Sequence, residues 1–200
     1  MVRYPSFRKT SSRRQLGVYV TRRENTQSRR GRARDLRPGH VLVVSGGQRT
    51  EPDYFKGFAR SRRVPLKVKT KVDSPENLVR YAKSIFTADE YDGVWCVVDV
   101  DNFDIGAARV AAARAEIELV VSEPCFELWL LLHFVDHRAH IDNGKAACAL
   151  LAKHVPGYGK GLDYTIFDEH VELAVERAKS LGPGNPGTDV WRLVEAVLKA

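Results

Sequence analysis

Between His40 and Phe134 the chain repeats one pattern four times: a short apolar run, a break, then a stretch with helical spacing. His40-Val-Leu-Val-Val-Ser45, Leu66-Lys-Val-Lys-Thr-Lys-Val72, Gly93-Val-Trp-Cys-Val-Val-Asp99 and Ile117-Glu-Leu-Val-Val-Ser122 read as strands. Helices are expected at roughly 52–62, 74–86, 105–115 and 124–134, with Ser74 as a cap and Pro75 and Pro124 suited to first helical turns. Such alternation predicts an α/β fold whose four-stranded, mainly parallel sheet carries helices on both faces. Gly93–Asp99 is the most apolar run and is expected at the centre. The 66–72 run alternates strictly and bears lysines on one face, which suits a sheet edge.

After Ile141 the pattern turns helical, at roughly 143–154, 168–180 and 188–199, with Gly- and Pro-rich breaks at 156–161 and 182–187. The expected organisation is a basic N-terminal arm over 1–39, an α/β core over 40–140, and a helical extension over 141–200 packed on that core. Neither Gly-rich break follows a strand with the spacing of a phosphate-binding P-loop. Asn185 and Thr188 read as turn and helix-cap residues.

With 44% hydrophobic residues in 200, one real core is within reach. No apolar run approaches the ~20 residues of a membrane span, and the Arg-rich start lacks the apolar stretch of a signal peptide. Cys96, Cys125 and Cys148 form no C-x-x-C pair and read as reduced thiols, so a cytoplasmic setting is expected and a cysteine-held zinc is not. Twelve of the 32 Lys and Arg residues precede position 40, opposed there only by Glu24 and Asp35. The rest of the chain is mildly acidic. The arm reads either as a solubilising leader or as a phosphate-binding segment in which Arg29, Arg30, Arg32 and Arg34 displace counterions from nucleic acid.

In open parallel sheets ligands bind outside the carboxyl ends of the strands. Here those ends carry Gly46–Glu51, Asp99-Val-Asp101 and Ser122–Glu127, three acidic loops expected to converge on one rim. Asp99 and Asp101, two apart on a strand, project to one face and suit an ion site; a helix cap or solvated loop is the competing reading. Glu127 lies in an otherwise apolar helix, where a carboxylate calls for a metal or a buried Arg or Lys. Glu51 suits proton transfer or, as plainly, a first-turn acid favoured by the helix dipole. Arg49 and Lys160 are candidates for phosphate contacts. His133, about 240° around the helix from Glu127, is expected to be structural. Trp95 and Trp129 read as core, and Trp191 as core or a partner contact.

Gly47-Gln-Arg-Thr-Glu-Pro-Asp-Tyr-Phe55, Val98-Asp-Val-Asp101, Ser122-Glu-Pro-Cys-Phe-Glu-Leu-Trp-Leu-Leu-Leu-His-Phe134, Tyr158-Gly-Lys160 and Asn185-Pro-Gly-Thr188 together resemble the RloB-like family over about residues 40–200. The resemblance implies a compact Toprim-like domain and a Mg²⁺- or Mn²⁺-dependent nuclease, or nucleic-acid-processing subunit, of bacterial phage defence, abortive infection included, often encoded beside an ATPase partner. It implies metal ligation by Asp99, Asp101 and Glu127, with Glu51 and Glu127 as catalytic carboxylates. One departure matters: the family pattern E-G-x-x-T-E begins here with Gly46 where the expected general acid or base stands, and Glu123 replaces an asparagine. A degenerate module that binds nucleic acid or the ATPase without cutting is therefore the alternative, and a primase-like phosphoryl chemistry is a third reading the fold allows. Pairing between copies through the 188–199 helix is a further expectation.

Overall fold

The computed structural model describes residues 40–100, 105–159 and 161–199. Five strands form one sheet: β1 (His40–Ser45), β2 (Leu66–Thr70), β3 (Tyr91–Asp99), β4 (Glu118–Glu123) and β5 (Gly187–Thr188). The order is β2-β1-β3-β4-β5, parallel throughout except for the antiparallel β4–β5 pair. The helices are α1 (Thr50–Arg62), α2 (Pro75–Ile85), α3 (Ile105–Ala115), α4 (Glu127–Leu132), α5 (Gly144–Leu151), α6 (Thr165–Asp168), α7 (Val171–Ser180) and α8 (Val190–Leu198). Among the described residues no helix is long and apolar enough to cross a membrane.

The α/β expectation is met, with β3 central and lysine-bearing β2 at the edge. The fifth strand corrects the expectation of four. Two residues are too short for any periodicity, and β5 exists because Thr188 pairs with Ser122 and the two hydroxyls lie 2.8 Å apart. Pro124 is a second correction: it precedes α4 rather than opening it, after a cis Glu123–Pro124 bond, and Glu127 is the first helical residue. The helix expected over 168–180 is α7, which starts later, at Val171, after His170, whose φ of −113° is outside helical geometry; the short α6 before it lies almost wholly outside the expected range.

Alternating residues of each strand supply two apolar layers. Val43, Val97 and Val120 face α1, α4, α7 and α8, whereas Leu42, Val44, Cys96, Val98 and Val121 face α2 and α3. The first layer holds residues of the extension, such as Leu151, Phe167, Val171 and Leu193, in one cluster with Tyr54 and Trp129. Gly57 on α1 is part of that closure, because Tyr164 occupies the space a side chain at 57 would need. Arg62 ties the same surfaces with 2.9 Å ion pairs to Asp168 and Glu172.

At the centre of this layer Tyr54 meets Phe55, Phe126, Trp129, His133, Tyr164 and Phe167 edge-on, with ring centroids 5.3–6.2 Å apart. His133 is the structural histidine the sequence leads one to expect. Its Nδ1 lies 2.9 Å from the Trp129 carbonyl oxygen, so Nδ1–H donates there. Nε2 then accepts from the Tyr54 hydroxyl at 3.1 Å. Burial outweighs the Trp129 hydrogen bond and pushes the imidazole pKa down to about 3.

The fold thus holds His133 neutral, while the unfolded chain protonates it near the ordinary value of about 6.5. Its contribution is complete above about pH 6.5 and is lost as pH falls from there toward 3, at up to about 1.4 kcal/mol per pH unit. Urea unfolding at pH 7 and pH 5 should show this loss, and His133→Gln should flatten it. Equal slopes in the two proteins would remove His133 as its source.

Candidate functional site

The chain runs from β1 through α1 to β2 on one side and reaches β3 on the other, crossing faces by way of α2. Connections therefore diverge between β1 and β3, and their carboxyl ends stand side by side. Such a switch point is where open α/β sheets leave a crevice. A cavity of about 390 Å³ lies there, lined by Gly46, Gly47, Glu51, Val72, Asp73, Ser74, Pro75, Val98 and Asp99.

Asp99 is the last residue of β3 and pairs in register with Ser122 of β4, while the next N–H, of Val100, donates to the Ser122 carbonyl at 3.0 Å. Glu51 comes from the first turn of α1 and is 6% exposed. Its carboxylate folds back over Gly47 and fills the space a Cβ there would need. Glu51 is thus a first-turn acid and a cavity wall at once, so the two sequence readings of it are compatible. Gly46, which donates its N–H to the Val97 carbonyl at 3.1 Å, bridges the β1 and β3 ends.

The third contributor to the wall differs from the expected one. It is the β2–α2 turn, Val72 to Pro75, rather than the β4–α4 segment. Asp73 is the residue that sequence reasoning passed over, since Ser74-Pro75 reads first as a helix cap, which it also is: the Ser74 hydroxyl accepts from the Asn77 N–H. The Asn77 amide, then the Ser74 N–H, hold the Asp73 carboxyl below its ordinary value, with Lys71 3.7 Å away adding to the effect.

Glu127 is not a wall of this cavity. It sits half-buried at the start of α4, where the Tyr158 hydroxyl donates to it at 2.7 Å. The Tyr158 hydroxyl also lies 3.5 Å from the Thr50 hydroxyl, at the start of α1. Burial first, then Glu127, raises the pKa values of Tyr158, Cys125 and Cys148, and Asp99 adds a smaller push on Cys125. What meets Glu127 among the described residues is thus a phenol and two thiols, not the Arg or Lys that a greasy helix suggests. Cys125 lies within the field of both Glu127 and, more weakly, Asp99.

Arg49 is exposed, precedes α1 and accepts the Asp53 N–H on its carbonyl at 2.8 Å; its side chain does not line the cavity. Asp101, Lys160, Arg29, Arg30, Arg32 and Arg34 lie outside the described residues, as does the arm over 1–39. Among the described residues no group of three or more His, Cys, Asp or Glu is placed to hold a metal ion, and Asp101 is not in that set. Asn185 clamps the chain before α5, receiving the Ile141 N–H at 3.0 Å and donating to the Ile141 carbonyl at 2.7 Å. Trp129 is fully buried, whereas Trp95 is partly exposed with the Arg192 guanidinium 5.8 Å from its ring centre.

The Tyr158–Glu127 bond is measurable. A hydrogen bond to a carboxylate contributes about 1.5–3 kcal/mol, so Tyr158→Phe should lower unfolding free energy by that order. A double-mutant cycle with Glu127→Ala should return a coupling of about 1 kcal/mol or more. Additive losses in urea unfolding would show that the two side chains do not interact.

No curated protein and no solved structure matches the chain. A family model described as RloB-like protein matches residues 41–197, which takes in every strand but the first residue of β1 and every described helix except the last residue of α8. With its motifs spread along that whole span, the chain belongs to the RloB-like protein family.

Proposed function

We propose that this RloB-like protein is a Mg²⁺- or Mn²⁺-dependent nuclease, or the nuclease subunit, of a bacterial anti-phage system, built on a Toprim-like core. The observation that carries the reading is the pair of carboxylates, Asp99 and Glu51, brought from separate elements to one cavity at the sheet's switch point. The donor set fits a hard divalent cation: the cavity wall offers carboxylate oxygens and neither imidazole nor thiol. Asp99, with Asp101 two residues on, would hold the ion, and Glu127, at the start of α4, would support it. When bound, the ion supplies charge neutralisation at a scissile phosphodiester.

The chain's own groups do the remaining work in this reading. Glu51, anchored at the α1 N-terminus, takes the proton of the attacking water. Arg49 and Lys160 neutralise flanking phosphates. The basic arm with Arg29, Arg30, Arg32 and Arg34 adds sequence-independent attraction for nucleic acid. A nearby-encoded ATPase is the expected partner, and the cytoplasm the expected setting.

One observation favours the second reading, a non-cutting module. Gly46 brings no carboxylate to the cavity. A Cβ built at Gly46 would meet only the Val97 carbonyl oxygen, at an ordinary 3.7 Å, so the backbone leaves room for a side chain to begin there.

Asp99→Ala with Asp101→Ala should abolish Mn²⁺-dependent cleavage and Mn²⁺ uptake by calorimetry while leaving a cooperative melt. Cleavage at the unmodified level by that variant would end the nuclease assignment. Gly46→Glu separates the two readings: cleavage seen only in this variant identifies the natural chain as a binding module, and cleavage already present without it identifies a nuclease that works with Glu51.

A further inference from the structure

The lysine face of β2 has no role in the site as described. Lys67 and Lys69 are exposed, and among the described residues neither joins a salt bridge. The physical reason for their exposure lies in how the helices are laid over the sheet. Leu66 and Val68 turn inward against the layer that holds α1. Lys67 and Lys69 point the other way, to the face shared with Leu42 and Val44, which pair with them in register. On that face α2 packs mainly over β1 and β3, and among the described residues Lys67 and Lys69 of the outermost strand remain exposed.

Strand geometry spaces the backbone positions of these two lysines about 6.4–6.8 Å apart along one line, and their flexible stems let the ammonium groups keep a similar spacing. That spacing is close to the separation of successive phosphates along an extended nucleic-acid strand. The line has a direction. It continues to Lys71, whose N–H donates to the Ser45 carbonyl at 3.1 Å and whose ammonium lies 3.7 Å from Asp73. Asp73 and its neighbours Val72, Ser74 and Pro75 wall the cavity that holds Asp99 and Glu51. The rest of the chain after residue 39 carries more acid than base, so a free cationic row leading to a carboxylate-lined cavity is a local feature, not a reflection of overall charge.

We infer that Lys67 and Lys69 form a track that holds the phosphodiester backbone of a single nucleic-acid strand along the open edge of the sheet and leads it, past Lys71, to the cavity at the β1–β3 switch point. The inference rests on the nucleic-acid reading above and names the route the substrate takes. Charge complementarity selects the occupant: a polyanion of regular spacing satisfies both ammonium groups at once, whereas an added β-strand would have to approach an edge guarded by lysine.

The test uses the full chain in EDTA, where no cleavage occurs, with fluorescent single-stranded DNA and RNA oligonucleotides and anisotropy read over a series of salt concentrations. Two phosphate contacts on a single strand contribute about 1.4 to the slope of log K against log salt. Lys67→Gln with Lys69→Gln should lower the slope by about that amount, and Lys67→Arg with Lys69→Arg should restore it. A control of equal charge loss on another surface, Lys145→Gln with Lys153→Gln, should leave the slope in place. An unchanged slope in the first variant, or an equal drop in the control, overturns the track; aggregation of the first variant with an unchanged slope identifies the lysines as an edge guard only. Loss of slope in a chain that never cuts would keep the track and discard the nuclease. Cleavage by a chain whose slope ignores Lys67 and Lys69 would do the reverse.

Discussion

Parallel pairing of β1 with β3 is the constraint on which the rest of the molecule depends. It places the ends of two apolar strands next to each other while their outgoing connections depart to opposite sides. A crevice at that point follows from chain connectivity, before any side chain is considered. Residues at the tips of those strands, Gly46 and Asp99, become cavity walls because of where the strands stop. The pairing also determines which face each helix covers, and hence which strand is left with an open flank.

Two kinds of packing hold this arrangement. On the α2–α3 side the buried residues are aliphatic or small, Ala82, Ala108 and Ala112 among them, with Tyr81, Phe86 and Tyr91 packed at the margin. On the opposite side a ring-on-ring cluster around Tyr54 carries the extension. This cluster contains a polar chain, the Tyr54–His133–Trp129 series, in which the Tyr54 hydroxyl, both His133 ring nitrogens and the Trp129 carbonyl are partnered, while the buried Trp129 indole N–H has no hydrogen-bond partner among the described residues. The partnered atoms are thereby spared the cost of an unsatisfied buried polar group. Tyr158 extends the same logic to the site, because a residue of the extension reaches Glu127 on α4 and Thr50 on α1. The extension therefore shapes the surroundings of a core carboxylate instead of merely covering apolar surface.

Several features were legible residue by residue. The 105–115 helix has the bounds its alanine-rich run suggests, and β1 matches its apolar run end to end. β2 sits at the edge because its lysines could not be buried, and β3 at the centre because its middle, Val94 to Val98, is apolar and its two aspartates lie at or near its ends. Other features were not legible. Pro124 suits a first helical turn in isolation, yet the chain leaving β4 needs three more residues before α4 begins. Sequence order groups Glu127 with Ser122 among the strand-end acids, but it does not disclose that α4 brings Glu127 to Tyr158 and the two thiols. Asp73 joins the cavity for the converse reason, since nothing local marks it as more than the residue before a cap.

What the sequence determines by itself is the alternation of strands and helices, the parallel sheet, the edge position of β2 and the family. Each of these follows from periodicity or from motif residues close together along the chain. Tertiary structure alone decides which carboxylates share a cavity, what partners Glu127, and where β5 pairs. These depend on strand order and on contacts between residues far apart in sequence: Tyr158 and Glu127 are 31 positions apart, and Ser122 and Thr188 are 66. Local patterning states which side chains can be buried, but not which distant segment will meet them, because many registers satisfy the same pattern until the whole core closes.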